Sequence, residues 1–129
     1  MNIGEAAKAS GVTTKMIRHY ESIKLIGRSL RTEAGYRTYN EQDVSILRFI
    51  KSARSLGFSL EQIKLLLSLW QDHARASADV KALATEHIQA LDAKIDELTA
   101  MRNLLHTLAA SCQGDKRADC PILTGLSKQ

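Results

Sequence analysis

Apolar positions recur at helical spacing in two short stretches at the start of the chain. The stretch Ile3–Ser10 predicts a first helix that Gly11 ends. A second helix is predicted through Glu21, with Thr13 or Thr14 as its N-cap. Two short helices around a glycine-containing turn are typical of a helix-turn-helix, although a plain helical pair fits the same pattern. The second helix is expected to direct Ile17 inward and its polar residues outward, namely Thr14, Lys15, Arg18 and His19.

Two longer stretches with helical periodicity follow. Asn40 is a good N-cap for a third helix that Gly57 ends, and Ser59-Leu60-Glu61-Gln62 is a capping box that opens a fourth. The apolar rows of these two helices predict most of the core. The rows are Val44, Leu47, Ile50 and Ala53 in the third helix and Ile63, Leu66, Leu67 and Trp70 in the fourth, and Arg48, Lys51 and Arg54 lie on the polar side of the third.

The segment between the second and third helices predicts a β-hairpin. The β-prone runs 29–32 and 36–39 are separated by Glu33-Ala34-Gly35, and a final loop glycine suits the positive φ that such a turn needs. A hairpin beside a helix-turn-helix is a wing. A packing role for one or two of the tyrosines Tyr20, Tyr36 and Tyr39 stays open. The candidate DNA contacts in the wing are Arg31 and Arg37 to phosphates, and Tyr36 and Tyr39 through hydroxyl hydrogen bonds.

Residues 78–110 contain no Gly or Pro and predict one helix of about 30 residues, about 45 Å long. Its apolar residues step by three and four, which is typical of a coiled-coil seam. So small a chain has no surface of its own to cover this stripe, so we expect two copies to pair through it, either antiparallel or parallel. The alternative is a helix that folds back on its own domain. The seam consists of Ile88, Leu91, Ile95, Leu98, Met101, Leu105 and Leu108.

Two cysteines follow the long helix. Seven residues separate Cys112 from Cys120, and Gly114 permits a tight turn that brings both sulfurs around one ion. Pro121 suits the first position of a short helix through Leu126, which places Cys120 at a helix N-terminus, where a thiolate is favoured. Two thiolates suit a soft monovalent d¹⁰ ion. Two unremarkable free cysteines remain an alternative, as does zinc with further ligands from Asp115, Asp119 and His106.

Charge and composition narrow the class of protein. The chain has 129 residues, of which 44% are hydrophobic, so it can bury a core. Residues 1–60 hold 10 Lys/Arg against 5 Asp/Glu, whereas residues 61–129 hold 8 against 9, so the basic front half suits a polyanion such as nucleic acid. No signal peptide or long apolar run is recognisable and cysteines are few, which predicts a cytoplasmic protein. We find no nucleophile–base pair, paired carboxylates or phosphate-binding loop, so no enzyme is expected.

Several motifs carry a family resemblance. In the front half they are Ile3-Gly4-Glu5-Ala6-Ala7, Ile17-Arg18-His19-Tyr20-Glu21 and Gly35-Tyr36-Arg37-Thr38-Tyr39. With these motifs the chain resembles the MerR family of bacterial transcription regulators. The back half resembles the copper-efflux branch of that family, through Ser77-Ala78-Asp79-Val80-Lys81 and the Cys112–Cys120 loop that ends in Asp119-Cys120-Pro121-Ile122.

The resemblance implies a mainly α fold in two parts. Residues 1–75 would form a winged helix-turn-helix DNA-binding domain, and residues 76–129 a long antiparallel coiled-coil dimerisation helix with a C-terminal metal-binding loop. It also implies a homodimer on a two-fold promoter element with an over-long spacer. The metal-bound form would bend and untwist that spacer, so that RNA polymerase engages both promoter elements. The implied DNA-contacting residues are Thr14, Lys15, Arg18, Tyr20, Arg31, Tyr36, Arg37, Tyr39 and Arg54.

The resemblance further implies that Cys112 and Cys120 bind Cu(I), or Ag(I) or Au(I), beneath Ser77 of the partner subunit. Family members that sense divalent metals carry a cysteine at the position of Ser77. With serine there, the site has only two thiolates, and a monovalent ion reduces their charge from −2 to −1. Lys81, which lies on the same helix face as Ser77, can offset the remaining negative charge. Ser77 can also simply cap the long helix. Other functions that stay open are a sensor of a divalent metal or of thiol redox state, and a metal-trafficking protein that binds no DNA.

Overall fold

The computed structural model describes residues 1–27, 38–72, 74–112, 114 and 118–128. That part of the chain contains helices and no strand, which confirms the mainly α fold class. The predicted wing lies outside the described residues apart from Thr38 and Tyr39. The helices are α1 (Ile3–Ser10), α2 (Thr14–Ser22), α3 (Glu41–Ser55), α4 (Leu60–Gln71), α5 (Ser77–Ser111) and α6 (Pro121–Ser127).

The chain divides into two compact units, Met1–Val80 and Lys81–Gln129. The first unit contains α1 to α4, and the second contains most of α5 together with α6. The sequence placed a domain boundary between residues 75 and 76, and that division remains a prediction. No helix in the described ranges has the length and apolarity needed to cross a membrane.

Local capping decides where the helices of the first unit begin. The Asn2 side chain accepts a hydrogen bond from the Glu5 amide at 2.8 Å, and the Asn40 side chain accepts from Asp43 in the same way. The predicted caps Thr13 and Ser59 also accept amide hydrogen bonds, at 3.2 Å each. The predicted starts of the second, third and fourth helices are therefore confirmed.

Gly11 ends α1 and opens the turn to α2. Its φ of 75° lies in the left-handed region, and its amide donates to the Ala7 carbonyl at 2.9 Å. A Cβ at this position would also lie 2.5 Å from Nζ of Lys51 on α3. The turn therefore requires glycine for its backbone conformation, whereas the flexible end of the Lys51 side chain could move to make room for a Cβ.

The core of the first unit lies where α1 and α4 pack on α3, and α2 on α1. The predicted inward faces are confirmed for α3 and for most of α4. The largest fully buried side chains are Ile17, Leu47, Ile50 and Ile63, and Val44, Ala53 and Leu67 are also buried.

The prediction that Trp70 is buried is wrong. Its side chain is 41% exposed at the end of α4, where its ring stacks on Phe49 with a centroid distance of 4.8 Å and an interplanar angle of 13°. The inward row of α4 is complete at Leu67, so the indole lies at the rim of the core. One face of the indole covers Phe49, and the ring stays in contact with solvent.

Helix α5 carries one continuous apolar face. It has 35 residues and a length of about 52 Å. Six residues of the predicted seam are 39–58% exposed, and only Leu108 is half-buried. Gly125 of α6 lies against Leu108, so closely that a Cβ would overlap the leucine side chain. We call the seven residues the α5 stripe: Ile88, Leu91, Ile95, Leu98, Met101, Leu105 and Leu108.

The packing of α3 predicts a large difference between two leucines. Replacing the fully buried Leu47 by alanine should lower the free energy of unfolding by about 2–5 kcal/mol, because it removes transfer energy and leaves a cavity. Replacing Leu65, which is 46% exposed on α4, should cost about 0.5 kcal/mol or less. Urea denaturation measures both, and equal losses would contradict the assigned core.

Candidate nucleic-acid interface and metal site

The outer face of α2 collects the predicted recognition residues. Lys15, Arg18 and His19 are exposed and Thr14 is half-buried, whereas Ile17 is fully buried beneath them. This burial fixes the rotation of α2 about its axis and directs its donors outward together. A helix face with two cations and further hydrogen-bond donors can contact phosphates and base edges.

The structure places Tyr20 and Tyr39 in the core. They are 5% and 4% exposed, which gives both rings the packing role that the sequence left open. The Tyr39 hydroxyl donates a short hydrogen bond to the buried carboxylate of Glu21 at the end of α2. Because both side chains are buried, they do not belong to the exposed surface that could contact DNA.

Tyr39 also joins the N-terminus of the chain to the end of the predicted wing. Its amide donates to the Met1 carbonyl at 2.7 Å, and the Met1 ammonium donates back to the Tyr39 carbonyl at 2.8 Å. With the bond to Glu21, these contacts fix the last residue of the predicted wing to the segment before α1 and to α2. The remaining predicted contacts in the wing, Arg31, Tyr36 and Arg37, lie outside the described residues.

Helix α3 carries the exposed arginines Arg48 and Arg54 on its polar side. Arg54 lies in the last turn of α3, with its side chain exposed, as the predicted DNA contact requires. Arg48 donates two hydrogen bonds to the Ala9 carbonyl, at 2.8 and 3.2 Å, so its guanidinium is held at the end of α1. Helical spacing located Arg48 on a polar face but gave no signal of this contact, because it depends on how α3 crosses α1.

Cys112 and Cys120 lie close together, as their spacing predicted. Cys112 follows the end of α5, and Cys120 is the N-cap of α6. Their sulfurs are 4.0 Å apart and both thiols are free. This separation is too long for a disulfide, which needs about 2.05 Å, and shorter than two metal–sulfur bonds of about 2.3 Å each. One soft ion can therefore contact both sulfurs, so the donor pair fits a bound metal.

The backbone of α6 favours the thiolate form of Cys120. Hydrogen bonding to the Leu123 amide is the largest influence, and together with the Ile122 amide and the Cys112 thiol it lowers the pKa of the Cys120 thiol. Burial and the nearby Asp119 carboxylate act in the opposite direction and are outweighed. The thiolate is the form that binds metals, so the site is prepared for a cation.

The other metal-site candidates are spread along the second half of the chain. Ser77 is the first residue of α5, and Lys81 lies one turn later, both exposed. His106 is exposed on α5 and Asp119 is exposed beside Cys120, whereas Asp115 lies outside the described residues. Among the residues that the structure describes, no group of three or more His, Cys, Asp or Glu side chains could hold a metal.

Comparison with known proteins gives matches over the whole chain. The model for MerR HTH family regulatory proteins matches residues 1–70, and the model for MerR DNA binding matches residues 44–108. The transcriptional regulator HmrR of Sinorhizobium medicae is 57% identical over 128 residues, covering 99% of this chain and 87% of its own. The regulator CueR of Escherichia coli O6:H1 is 45% identical over 127 residues, covering 98% and 94%. The crystal structure of PbrR691 from Ralstonia metallidurans CH34 with lead(II) gives a TM-score of 0.85 at 32% identity and covers 98% of both chains.

The lowered pKa of Cys120 predicts a reactive thiol. Near neutral pH, Cys120 should hold a larger thiolate fraction than a free cysteine, so iodoacetamide should alkylate it faster than it alkylates a short cysteine peptide. In Cys112→Ala the sulfur contact that helps to lower this pKa is lost, and alkylation of Cys120 should slow. Peptide mass spectrometry over a pH series measures the rates. A rate for Cys120 equal to that of the cysteine peptide at every pH would contradict the lowered pKa.

Proposed function

The chain belongs to the MerR family of transcription regulators, and on that premise we propose that it is a metal-responsive activator that senses Cu(I) through Cys112 and Cys120. Its relatives named HmrR and CueR represent the copper-efflux branch of the family. These relatives are transcription regulators and not enzymes, which confirms the expectation from the sequence. The observation that carries the metal proposal is the pair of free thiols 4.0 Å apart, one of them with a lowered pKa.

Regulators of this family bind promoter DNA as dimers. Two copies of the outer face of α2 would read two half-sites, because a two-fold protein matches a two-fold DNA element. Exposed cations on α2 and α3 would contact phosphates and bases, while Tyr20 and Tyr39 support that surface from below. The proposed contacts are Thr14, Lys15, Arg18 and Arg54, together with Arg31, Tyr36 and Arg37 of the wing.

The α5 stripe supports pairing of two copies. Its residues lie on one face of a long helix, and six of them are about half exposed in the single chain. Burial of apolar surface is the main favourable contribution to association. A second copy presents the same stripe and can cover it, as in a two-fold symmetric interface.

The donor set favours a monovalent ion over a divalent one. Two sulfurs are the soft ligands that Cu(I), Ag(I) or Au(I) accept in two-coordinate sites, whereas zinc sites usually have four protein ligands. Cys112 and Cys120 would hold such an ion, which would supply positive charge against their two thiolates. We propose that Ser77 and Lys81 of the partner subunit lie beside the two sulfurs, where Lys81 offsets the remaining negative charge and Ser77 adds no third sulfur.

The proposed output is remodelling of a promoter in the cytoplasm, where thiols stay reduced. Both forms of the dimer would occupy a promoter whose spacer is too long for RNA polymerase. Because Cys112 adjoins the end of α5, closing the loop at its two sulfurs acts directly on the helix that joins the two copies. Transcription of metal-efflux genes would then start once the spacer is bent and untwisted.

The DNA half of the proposal predicts a specific loss at Arg18. With DNA selected by the parent protein from a randomised pool, Arg18→Ala should bind about 1–3 kcal/mol more weakly and discriminate less between sequences. Arg37→Ala should weaken binding to all sequences and flatten the dependence on salt, as loss of a phosphate contact does. The matched control is Lys64→Ala on α4, which should bind as the parent does. Fluorescence anisotropy over a salt series measures all three, and unchanged binding of both arginine variants would overturn the proposed interface.

The metal half predicts which ions activate transcription. Cys112→Ser and Cys120→Ser should both lose the copper response and still bind DNA. Ser77→Cys should gain a response to Zn(II) or Hg(II), because a third sulfur and its negative charge suit a divalent ion. The control Ser68→Cys adds a thiol at an exposed position of α4, and its response to each metal should equal that of the parent. A promoter reporter read with Cu(I), Ag(I), Zn(II) and Hg(II) compares the variants.

A sensor of a divalent metal is the second candidate, favoured by the similarity to PbrR691, whose structure contains lead(II). A parent protein that responds more strongly to Zn(II), Hg(II) or Pb(II) than to Cu(I) would support that candidate and contradict ours. Activation by an oxidant without metal would indicate a redox sensor. A protein that binds Cu(I) but no selected DNA would instead be a trafficking protein.

A further inference from the structure

The residue that closes the turn after α2 has an unusual backbone conformation. Lys24 has a φ of 60°, and among the residues that the structure describes it is the one non-glycine in the left-handed region. A Cβ clashes with the neighbouring carbonyl there, and strained backbone of this kind is concentrated at functional sites. We propose that Lys24 is a further DNA contact, which binds a backbone phosphate beside α2. The inference rests on the proposed DNA-binding function and extends its contact surface.

The way in which α2 ends requires this backbone conformation. The amide of Lys24 donates to the Glu21 carbonyl at 3.1 Å, and the amide of Leu25 donates to the Tyr20 carbonyl at 2.9 Å. These two hydrogen bonds form a Schellman motif, in which the chain reverses through a left-handed residue. The reversal returns Leu25 to the core, where its side chain is buried. The backbone at this position is therefore left-handed whichever side chain it carries.

Helix α3 ends in the same motif and gives a matched comparison. The amide of Gly57 donates to the Arg54 carbonyl at 3.0 Å, and the amide of Phe58 donates to the Ala53 carbonyl at 3.1 Å. Gly57 has a φ of 87°, and Phe58 packs against the core as Leu25 does. At the left-handed position α3 thus has the residue that this conformation favours, whereas α2 has a lysine.

A favourable charge at the end of the helix does not account for this lysine. A cation near a helix C-terminus is stabilised by the carbonyls of the last turn. Lys8 and Arg54 supply such a charge from within the last turns of α1 and α3. Gly11 and Gly57 occupy the left-handed positions that follow them. Since α2 has His19 in its last turn, a basic residue there does not require the strained position.

Lys24 lies just past the C-terminal end of the proposed DNA-contacting face. Lys15, Arg18 and Ser22 are exposed at helical spacing along α2, and the exposed Lys24 follows them. Helix α2 has nine residues and a length of about 13 Å, whereas the major groove is about 12 Å wide. A recognition helix contacts base edges with its N-terminal residues. A cation just past the other end would therefore lie at the edge of the groove, where the phosphates are.

The chemistry of lysine suits a phosphate contact at this point. Its ammonium is a compact charge on a flexible four-carbon stem, so it binds a phosphate without the fixed orientation that a guanidinium needs. In the sequence Lys24 stands between two other proposed contacts, Arg18 of α2 and Arg31 of the predicted wing. A phosphate contact carries no sequence information. Lys24 should therefore add affinity for DNA and leave the discrimination between sequences to Arg18.

The dependence of DNA binding on salt tests the contact. Lys24→Gly removes one phosphate contact from each subunit of the proposed dimer, so the slope of log affinity against log salt should become less steep by about 1.8. Between about 0.05 and 0.2 M salt, the affinity of the parent should then fall about tenfold more than that of the variant. The effect should be equal on a duplex selected by the parent and on a duplex of unrelated sequence. Fluorescence anisotropy measures both.

The stability of the same variant separates this role from a structural one. Glycine relieves the left-handed strain, which outweighs its greater freedom in the unfolded chain, so the urea midpoint should rise by about 0.3 M. Weaker binding to DNA and a more stable fold would then occur in one variant. A purely structural lysine would instead lower both properties when it is replaced. A Lys24→Gly protein with the salt slope of the parent, or with a lower urea midpoint, would overturn the contact.

Three control variants distinguish the local charge from other effects. Lys24→Arg keeps the cation and should keep the steep slope, whereas Lys24→Asn suits the left-handed backbone, lacks the charge and should flatten the slope as glycine does. Lys64→Ala removes an exposed cation from α4 and should leave the slope unchanged. Equal flattening in Lys64→Ala or in Lys24→Arg would overturn the contact. A parent that binds neither duplex would overturn the proposed DNA-binding function together with it.

Discussion

The exposed α5 stripe is the constraint on which the rest of the account depends. Full burial of a leucine or isoleucine side chain is worth about 1.5–3 kcal/mol, and six stripe residues are about half exposed in the single chain. Covering them in a second copy therefore supplies several kcal/mol toward association. In our proposal, two-fold recognition of DNA and a metal loop beside the partner subunit both depend on that pairing.

The sequence predicted local features of the fold well because their causes are local. Asn40 and Ser59 cap their helices through residues three positions away, so the helix starts could be located without knowledge of the packing. Trp70 and Tyr39 show that local patterns do not predict contacts between residues far apart in the sequence. Helical spacing could not show that α4 reaches the rim of the core at Trp70, or that Tyr39 bonds to Glu21 across the chain.

The sequence likewise predicted one part of the candidate metal site and left another part undetermined. The spacing of Cys112 and Cys120 predicted that their sulfurs could meet, because a glycine and a proline determine the loop and the helix that follows it. Which metal the site selects depends on the number of sulfurs and on the net charge around them. The partner subunit sets part of that charge through Lys81 in our proposal, so selectivity depends on the same pairing of α5 as DNA recognition does.

The most direct test of this account is the mass of the metal-free, DNA-free chain in solution. Sedimentation equilibrium over a range of micromolar concentrations should give twice the 14.3 kDa of one chain, with no dependence on added Cu(I). That result would mean that the dimer forms through α5 before metal or DNA binds. A mass of one chain throughout that range would contradict the account, because the α5 stripe would then remain exposed to water.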